Sequence, residues 1–430
     1  YMDKISQLPD DLLIKILSLV PTKEVVAMRV LSKRWISLWT LVPRLIFGDY
    51  PEEDDDREEE DAEASENDHC CSQFVYGTLL LHKAPVLERF HLNRVSGCSA
   101  SEIDLWVRLA VDRFVRDLKI RFFPEYGIIR LPSTLFRCAT LETLELRKVV
   151  ISEVPSRVSF QSLKTFRLLF VKYADEESFV RLISDCPVLE DLVVETCHDD
   201  NVVTFTINVP SLEKFSIRNT LQDLETENDV FVVHYHSLKQ LTIVDYFGEL
   251  KLFGNNNMPQ LVEANLLSVS CHAKVLESFS RLKRISLCLP EEVQYPTGIV
   301  LSQLVFLKIC SCESNWMNML MSVLQHSPKL KVLKLALNHS VTEDRKVFWT
   351  QPSCVPQCLL YHLETFEWRD YNGTEDVEKE MAIYILKNAS RLVTAIIYYP
   401  DLFEWERKLQ IFKELEVVSR GSRSCELTMG

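Results

Sequence analysis

Two clusters in this 430-residue chain have donor types and spacing that suggest metal chemistry. Cys354, Cys358 and His362 stand four residues apart, yet no fourth ligand follows at a suitable interval, and prolines and apolar residues surround them. His69, Cys70 and Cys71 are equally incomplete, and His234 and His236 would share one strand face in the ordinary manner of surface histidines. No GxSxG or HExxH occurs, and the ten glycines are too scattered to form a P-loop or a dinucleotide fingerprint. The expectation is a non-catalytic chain with no metal and no cofactor. Binding chemistry is better represented. Arg121, Arg147, Arg167 and Arg218 carry forked guanidiniums suited to carboxylate or phosphate, as an acidic or phosphorylated protein segment would present.

A repeat must position these arginines. The pattern L-x-x-L-x-L, with other apolar residues tolerated, occurs thirteen times, from Leu87/Phe90/Leu92 to Leu392/Ala395/Ile397, with first positions 21 to 33 residues apart. Each copy predicts one strand between turns, with the leucines inward and the intervening residues outward on a concave face. Helical stretches at Ser101 to Arg116, Glu176 to Ser184, Asn315 to Gln325 and Glu375 to Lys387 suit the opposite side. Only Cys197, Cys312 and Asn338 occupy the Asn/Cys position eight residues after the first leucine, so the solenoid should be irregular. Lys119, Arg284, Lys308, Lys334 and Arg369 also face outward, with Asp117, Glu145, Asp191 and Glu195 interleaved among the early cations.

Residues 3–47 differ in texture. Pro9 suits a first helical turn, Asp10 and Asp11 complement its positive end, and Leu12, Leu13, Ile16, Leu17 and Val20 recur at helical spacing until Pro21. Thr22 can cap a second helix carrying Val25, Val26 and Val30, and Ser32 a third presenting Trp35 and Trp39, both expected in the core. So small a unit cannot bury all its apolar side chains, so part of the stripe should face a partner.

The run LPDDLLIKILSLVPTKEVVAMRVLSKRWISLW resembles the F-box of plant F-box proteins along its whole length. That resemblance implies docking on the Skp-type adaptor of a cullin-RING ubiquitin ligase, with Leu8, Pro9, Leu12, Ile16, Leu17, Pro21, Val25 and Val30 as the adaptor contacts. Residues 354–399 are similar to the FBD region that ends many plant F-box/LRR proteins, through Val355-Pro356-x-Cys358-Leu359, Tyr371-x-Gly373 and Leu386-Lys387-Asn388-Ala389. The expected fold is α/β: a three-helix F-box at 3–47, a linker at 51–72, a leucine-rich-repeat solenoid at 79–350 within a run of about thirteen repeats, and an FBD region with terminal repeats at 351–430.

Charge and cysteine usage narrow the setting. The formal charge is −14, but residues 51 to 68 hold twelve acids and one arginine and supply −11 of it; such a block predicts a disordered acidic linker. A basic tail or net positive domain is lacking, which disfavours nucleic acid. Thirteen cysteines without paired spacing argue against a secreted disulfide framework and favour cytosol or nucleus, and no run of about 18 apolar residues suggests a membrane span. The reading is therefore a substrate-recognition subunit of an SCF-type ligase. Alternatives are a co-receptor for a small hormone or inositol phosphate, a repeat scaffold without ligase function, and, least supported, an extracellular receptor.

Overall fold

A strand whose alternate residues are apolar hides them only when another layer covers that face, and stacking parallel copies provides the cover. The computed structural model shows that arrangement. It describes residues 8–48, 70–93, 95–96, 98–121, 131–196, 202–219, 230–234, 237–245, 251–254, 258–267, 281–288, 300–310, 316–336, 349, 351–373, 376–400 and 403–430. The chain divides into two compact units, the first Tyr1–Leu212 with Asp223–Glu227, the second Glu213–Gln222 with Asn228–Gly430.

In the first unit, α1 (Asp10–Leu17), α2 (Thr22–Ala27) and α3 (Lys33–Leu38) form the N-terminal module, with 3-10 turns at Met28–Val30 and Trp39–Leu41. Six parallel strands follow in sequence order: β1 (Arg44–Phe47), β2 (Arg89–Asn93), β3 (Asp117–Arg121), β4 (Thr143–Arg147), β5 (Thr165–Leu169) and β6 (Asp191–Glu195). Helices α4 (Ser72–Leu81), α5 (Ala100–Asp112) and α6 (Glu176–Ser184) connect them. Ser99 and Glu102 close a reciprocal capping box at the start of α5, and Asp175 caps α6 by accepting from Ser178 N–H at 2.7 Å.

The second unit continues the same construction. Its parallel sheet runs β7 (Lys214–Asn219), β8 (Gln240–Asp245), β9 (Glu263–Leu267), β10 (Arg284–Cys288), β11 (Phe306–Cys310), β12 (Val332–Ala336), β13 (Thr365–Trp368), β14 (Thr394–Ile397) and β15 (Glu426–Met429). Helices α7 (Trp316–Gln325), α8 (Gln357–Tyr361), α9 (Asp376–Asn388) and α10 (Trp405–Glu416) belong to it.

All thirteen L-x-x-L-x-L copies are strands, and their leucine-type positions are buried throughout. Among the described residues, β1 and β15 join these ladders without having been marked by the pattern. Val42, Leu45 and Phe47 make a copy inside the segment assigned to the helical module, so residues 44–47 are extended rather than helical. Ser424 stands where β15 would carry its first leucine. Residues 70–72, counted with the acidic linker, form a short strand and the start of α4, while 51–69 lie outside the described residues. So do Cys197, Cys312 and Asn338. A polar turn partner occurs one position earlier instead: Asn219, seven residues after Leu212, donates to Asp245, seven after Leu238, at 3.2 Å, and both are buried.

Just past several strands the backbone turns left-handed at Gly48, Lys148, Phe170 and Asp370, with φ of 83°, 55°, 52° and 55°. The amides of Lys148 and Phe170 then donate to Leu169 and Glu195 of the next strand, each at 2.9 Å, extending the ladder by one rung. At Gly48 the turn needs glycine, because a Cβ there would sit 1.8 Å from the Asn93 carbonyl oxygen.

Candidate partner-binding faces

The N-terminal module sorts its apolar residues into two sets. Leu13, Leu17, Val25, Val26, Trp35, Leu38, Trp39 and Val42 form its core, with Leu8 packed against them. Leu12 and Ile16 are each 45% exposed, Val30 is 82% exposed, and Leu19, Leu31, Ile36 and Leu41 also face solvent. Of the eight predicted adaptor contacts, Pro9, Leu12, Ile16, Pro21 and Val30 are exposed and Leu8 is half-buried. Leu17 and Val25 point inward and hold the helices together; a partner could reach them only by opening the module. Both tryptophans are buried, as expected.

Polar contacts pin this geometry. Arg34 donates from Nε and Nη2 to Asp10 Oδ1 at 2.9 and 2.5 Å and from Nη2 to the Leu8 carbonyl at 2.6 Å, fastening α3 to the start of α1. Thr22 does not cap α2; it lies inside the helix and its Oγ1 accepts from Ile46 N–H at 2.7 Å, tying the module to β1. Ser32 precedes α3 in extended conformation without a side-chain cap bond.

His82 provides a second tie. Its Nε2 lies 2.8 Å from the Val42 carbonyl and its Nδ1 2.9 Å from Arg113 Nη1, so the neutral ring donates to Val42 and accepts from the guanidinium. Burial chiefly, and the Arg113 charge in addition, push its pKa down to about 4.

The outward face of the strands carries the predicted cations in closely paired form. Register places Lys119, Glu145 and Arg167 side by side on β3, β4 and β5, and Arg121 beside Arg147. Glu145 is fully buried although it projects from this face; Arg121 Nε donates to its Oε1 at 2.5 Å and Lys119 Nζ lies 3.7 Å from its Oε2. Arg147 stacks over Phe170, 5.5 Å from the ring centroid. Arg121, Arg147 and Arg167 thus lie on three neighbouring strands of the first unit, with Arg121 engaged by a carboxylate, whereas Arg218 belongs to the second unit. Beside them His91 and Arg89 hold Asp117 at 3.1 and 3.0 Å. Burial opposes the Asp117 charge, but the His91 hydrogen bond with Lys119 and Arg89 keeps its carboxyl below the usual range; burial likewise lowers the His91 pKa. In the second unit, Lys334 and Arg369 pair with the buried Glu367 at 2.5 and 2.7 Å.

The cysteine–histidine candidates come apart. Cys354 and His362 are exposed, while Cys358 is buried, donates its thiol toward the Leu324 carbonyl at 3.4 Å and is pushed up to about 12 by burial. Among the described residues, no three His, Cys, Asp or Glu side chains converge as metal ligands. His69 and His236 lie outside them. Among the described residues, no helix is long and apolar enough to cross a membrane. The Tyr371-x-Gly373 turn is structural: Tyr371 stacks edge-on with Trp368 at 4.8 Å, and a Cβ on Gly373 (φ 60°) would lie 2.5 Å from Ile411.

Short helices with an outward apolar face, followed in sequence by parallel ladders of leucine-rich strands, define a leucine-rich-repeat chain with an N-terminal helical module. Residues 5–47 match the F-box domain family, residues 103–251 the leucine-rich repeats described for FBD-associated F-box protein At5g56370, and residues 351–397 the FBD family. The chain is 42% identical to F-box/FBD/LRR-repeat protein At5g56420 of Arabidopsis thaliana, over 99% of each sequence. It is 39% identical to probable FBD-associated F-box protein At1g32375 of the same plant, again over 99% of each. The chain belongs to the F-box/FBD/LRR-repeat family.

Proposed function

We propose that this chain is the substrate-recognition subunit of an SCF-type cullin-RING ubiquitin ligase, acting in cytosol or nucleus: the F-box docks on a Skp-type adaptor, and the outward strand face holds a target protein for ubiquitination. The observation that carries the first half is the solvent-facing set Leu12, Ile16 and Val30 on a module whose core is already complete without them. Exposed apolar side chains concentrated on so small a unit mark an interaction site. No chemistry is assigned to the chain itself; conjugation belongs to the enzymes recruited through the adaptor.

The test is co-purification of the full chain with a Skp-type adaptor. Wild type should form a stoichiometric complex, and Leu12→Ser with Ile16→Ser should lose it while remaining folded. A wild-type chain that does not associate overturns the reading. For the target side, the proposed contacts are Arg147 and Arg167 with the neighbouring Arg121, and Arg218 in the second unit. Reversing the charge of Arg147 and Arg167 together should abolish target ubiquitination and spare adaptor binding.

A further inference from the structure

Charge is unevenly shared along the second unit. The described residues from 281 to 336, which include β10, β11, α7 and β12, hold seven lysines and arginines and no carboxylate. Glu291, Glu292 and Glu313 lie outside the described residues. A chain with a formal charge of −14 thus carries a stretch of the opposite sign.

Backbone pairing puts these cations on one surface. Val305 and Phe306 N–H groups donate to the Lys283 carbonyl at 2.9 and 3.0 Å, and Lys331 and Val332 N–H groups to the Val305 carbonyl at 2.9 and 3.0 Å. Lys283, Val305 and Lys331 therefore stand side by side where the three strands begin. Register aligns Arg284, Phe306 and Val332 in the next row and Ser286, Lys308 and Lys334 two residues on. Both rows face outward, since Ile285, Leu307 and Leu333 between them are buried. Side chains meet across the strands: the Arg284 guanidinium lies over the Phe306 ring, 4.0 Å from its centroid.

Ion pairing sorts the cations. Arg284 lies 3.8 Å from Glu263 on β9, Lys331 2.8 Å from Glu364 just before β13, and Lys334 2.5 Å from Glu367 within it. Among the described residues, Lys283 and Lys308 have no carboxylate partner; Lys283 is exposed and Lys308 half-buried beside Ser286. The flanks then limit what fits. Three strands span about 10 Å, and acids bound them on both sides. A nucleic-acid backbone or an anionic membrane would run on into Glu263, Glu364 and Glu367, whereas two or three acidic residues of a protein segment would not. Phe306, with Val305 and Val332 half-buried around it, offers an apolar floor between the two free ammonium groups.

We infer that the outward face of β10–β12 binds a short acidic protein segment, Lys283 and Lys308 taking its carboxylate or phosphate groups and Phe306 the apolar side chain between them. This rests on the target-binding reading above and deepens it: the second unit supplies an anion site of its own, with cations that no buried acid already holds.

The test uses the full chain and pools of random nonapeptides with a fixed centre: Glu-Phe-Glu, phosphoserine-Phe-phosphoserine or Lys-Phe-Lys. Wild type should retain one or both acidic pools over the lysine pool, and the stronger of the two tells carboxylate from phosphate. Lys283→Glu with Lys308→Glu should lower acidic retention about tenfold and raise that of the lysine pool, with an unchanged melting temperature. Should this variant melt lower, Lys283→Gln with Lys308→Gln takes its place and should lose acidic retention alone. Equal retention by wild type and variant overturns the inference. So does retention erased by reversing Arg147 and Arg167 but not the lysine pair, which places the site on the first unit. Random single-stranded DNA that binds more tightly than either acidic pool, and is lost in the lysine variant, reassigns the surface to nucleic acid and overturns it too. Adaptor binding is scored separately: its failure in wild type removes the ligase reading, while peptide selection still decides this one.

Discussion

Acidification should loosen the junction between the F-box and the first repeats, and His82 sets the scale. The ring is buried and neutral, with a pKa of about 4 against an ordinary 6.5. A histidine whose folded pKa lies below its unfolded value binds its proton more readily when unfolded. Stability is therefore full above about pH 6.5 and is lost as pH falls toward 4. From these two values the loss is about 2 kcal/mol at pH 5 and about 3 kcal/mol at pH 4. His82→Gln is the comparison, because an amide can donate to the Val42 carbonyl and accept from Arg113 without titrating. Urea unfolding of both proteins at pH 8 and pH 5, followed by fluorescence of Trp35, Trp39 and Trp106 in the first unit, isolates the effect, since other carboxylates and His91 are common to both. Wild type should lose about 2 kcal/mol more than the variant over this interval. An identical pH dependence for the two refutes the reasoning.

Three further outcomes test separate links. Leu17→Ala should cost about 2–5 kcal/mol of stability, read as a lowered urea midpoint, whereas Leu12→Ser should change the midpoint little and affect only adaptor capture. Glu145→Ala removes the buried acceptor of Arg121 and Lys119 and should cost about 3 kcal/mol; unchanged thermal stability would show that the cations are satisfied elsewhere. In native protein, a maleimide should label exposed Cys354 within minutes and leave Cys358 intact until denaturant is added, as judged by mass spectrometry of peptides.

The sequence was most readable where one physical period repeats. Alternation within L-x-x-L-x-L located thirteen strands because each leucine position must be buried against its neighbours, and the helices at Glu176–Ser184 and Trp316–Gln325 followed from the intervals. The two end strands were harder. The β1 copy is hidden behind a helical run and opens on a valine, while β15 has a serine in its first position. Direction was harder still in the F-box, where both sides of α1 are apolar. Nothing in Leu12, Leu13, Ile16 and Leu17 says which pair meets α3; packing assigns Leu13 and Leu17 to the core. Charge spacing likewise marked Arg121 as outward but could not show that Glu145, 24 residues later, would close on it. Such pairing depends on strand register, which aligns residues from separate repeats.

Burial of Glu145, Glu367 and His91 on an otherwise solvent-facing sheet divides that sheet into fixed and replaceable positions. A change at a fixed position strands an opposite charge, so it must be accompanied by a second change on the adjoining strand. Exposed positions such as Arg284 carry no such obligation to the core. Because the interior is supplied by inward apolar side chains of strands and helices, the replaceable positions can be rewritten to present a different outward surface while the scaffold stays intact. Retargeting by design should begin there, with the buried acids and their partners left alone.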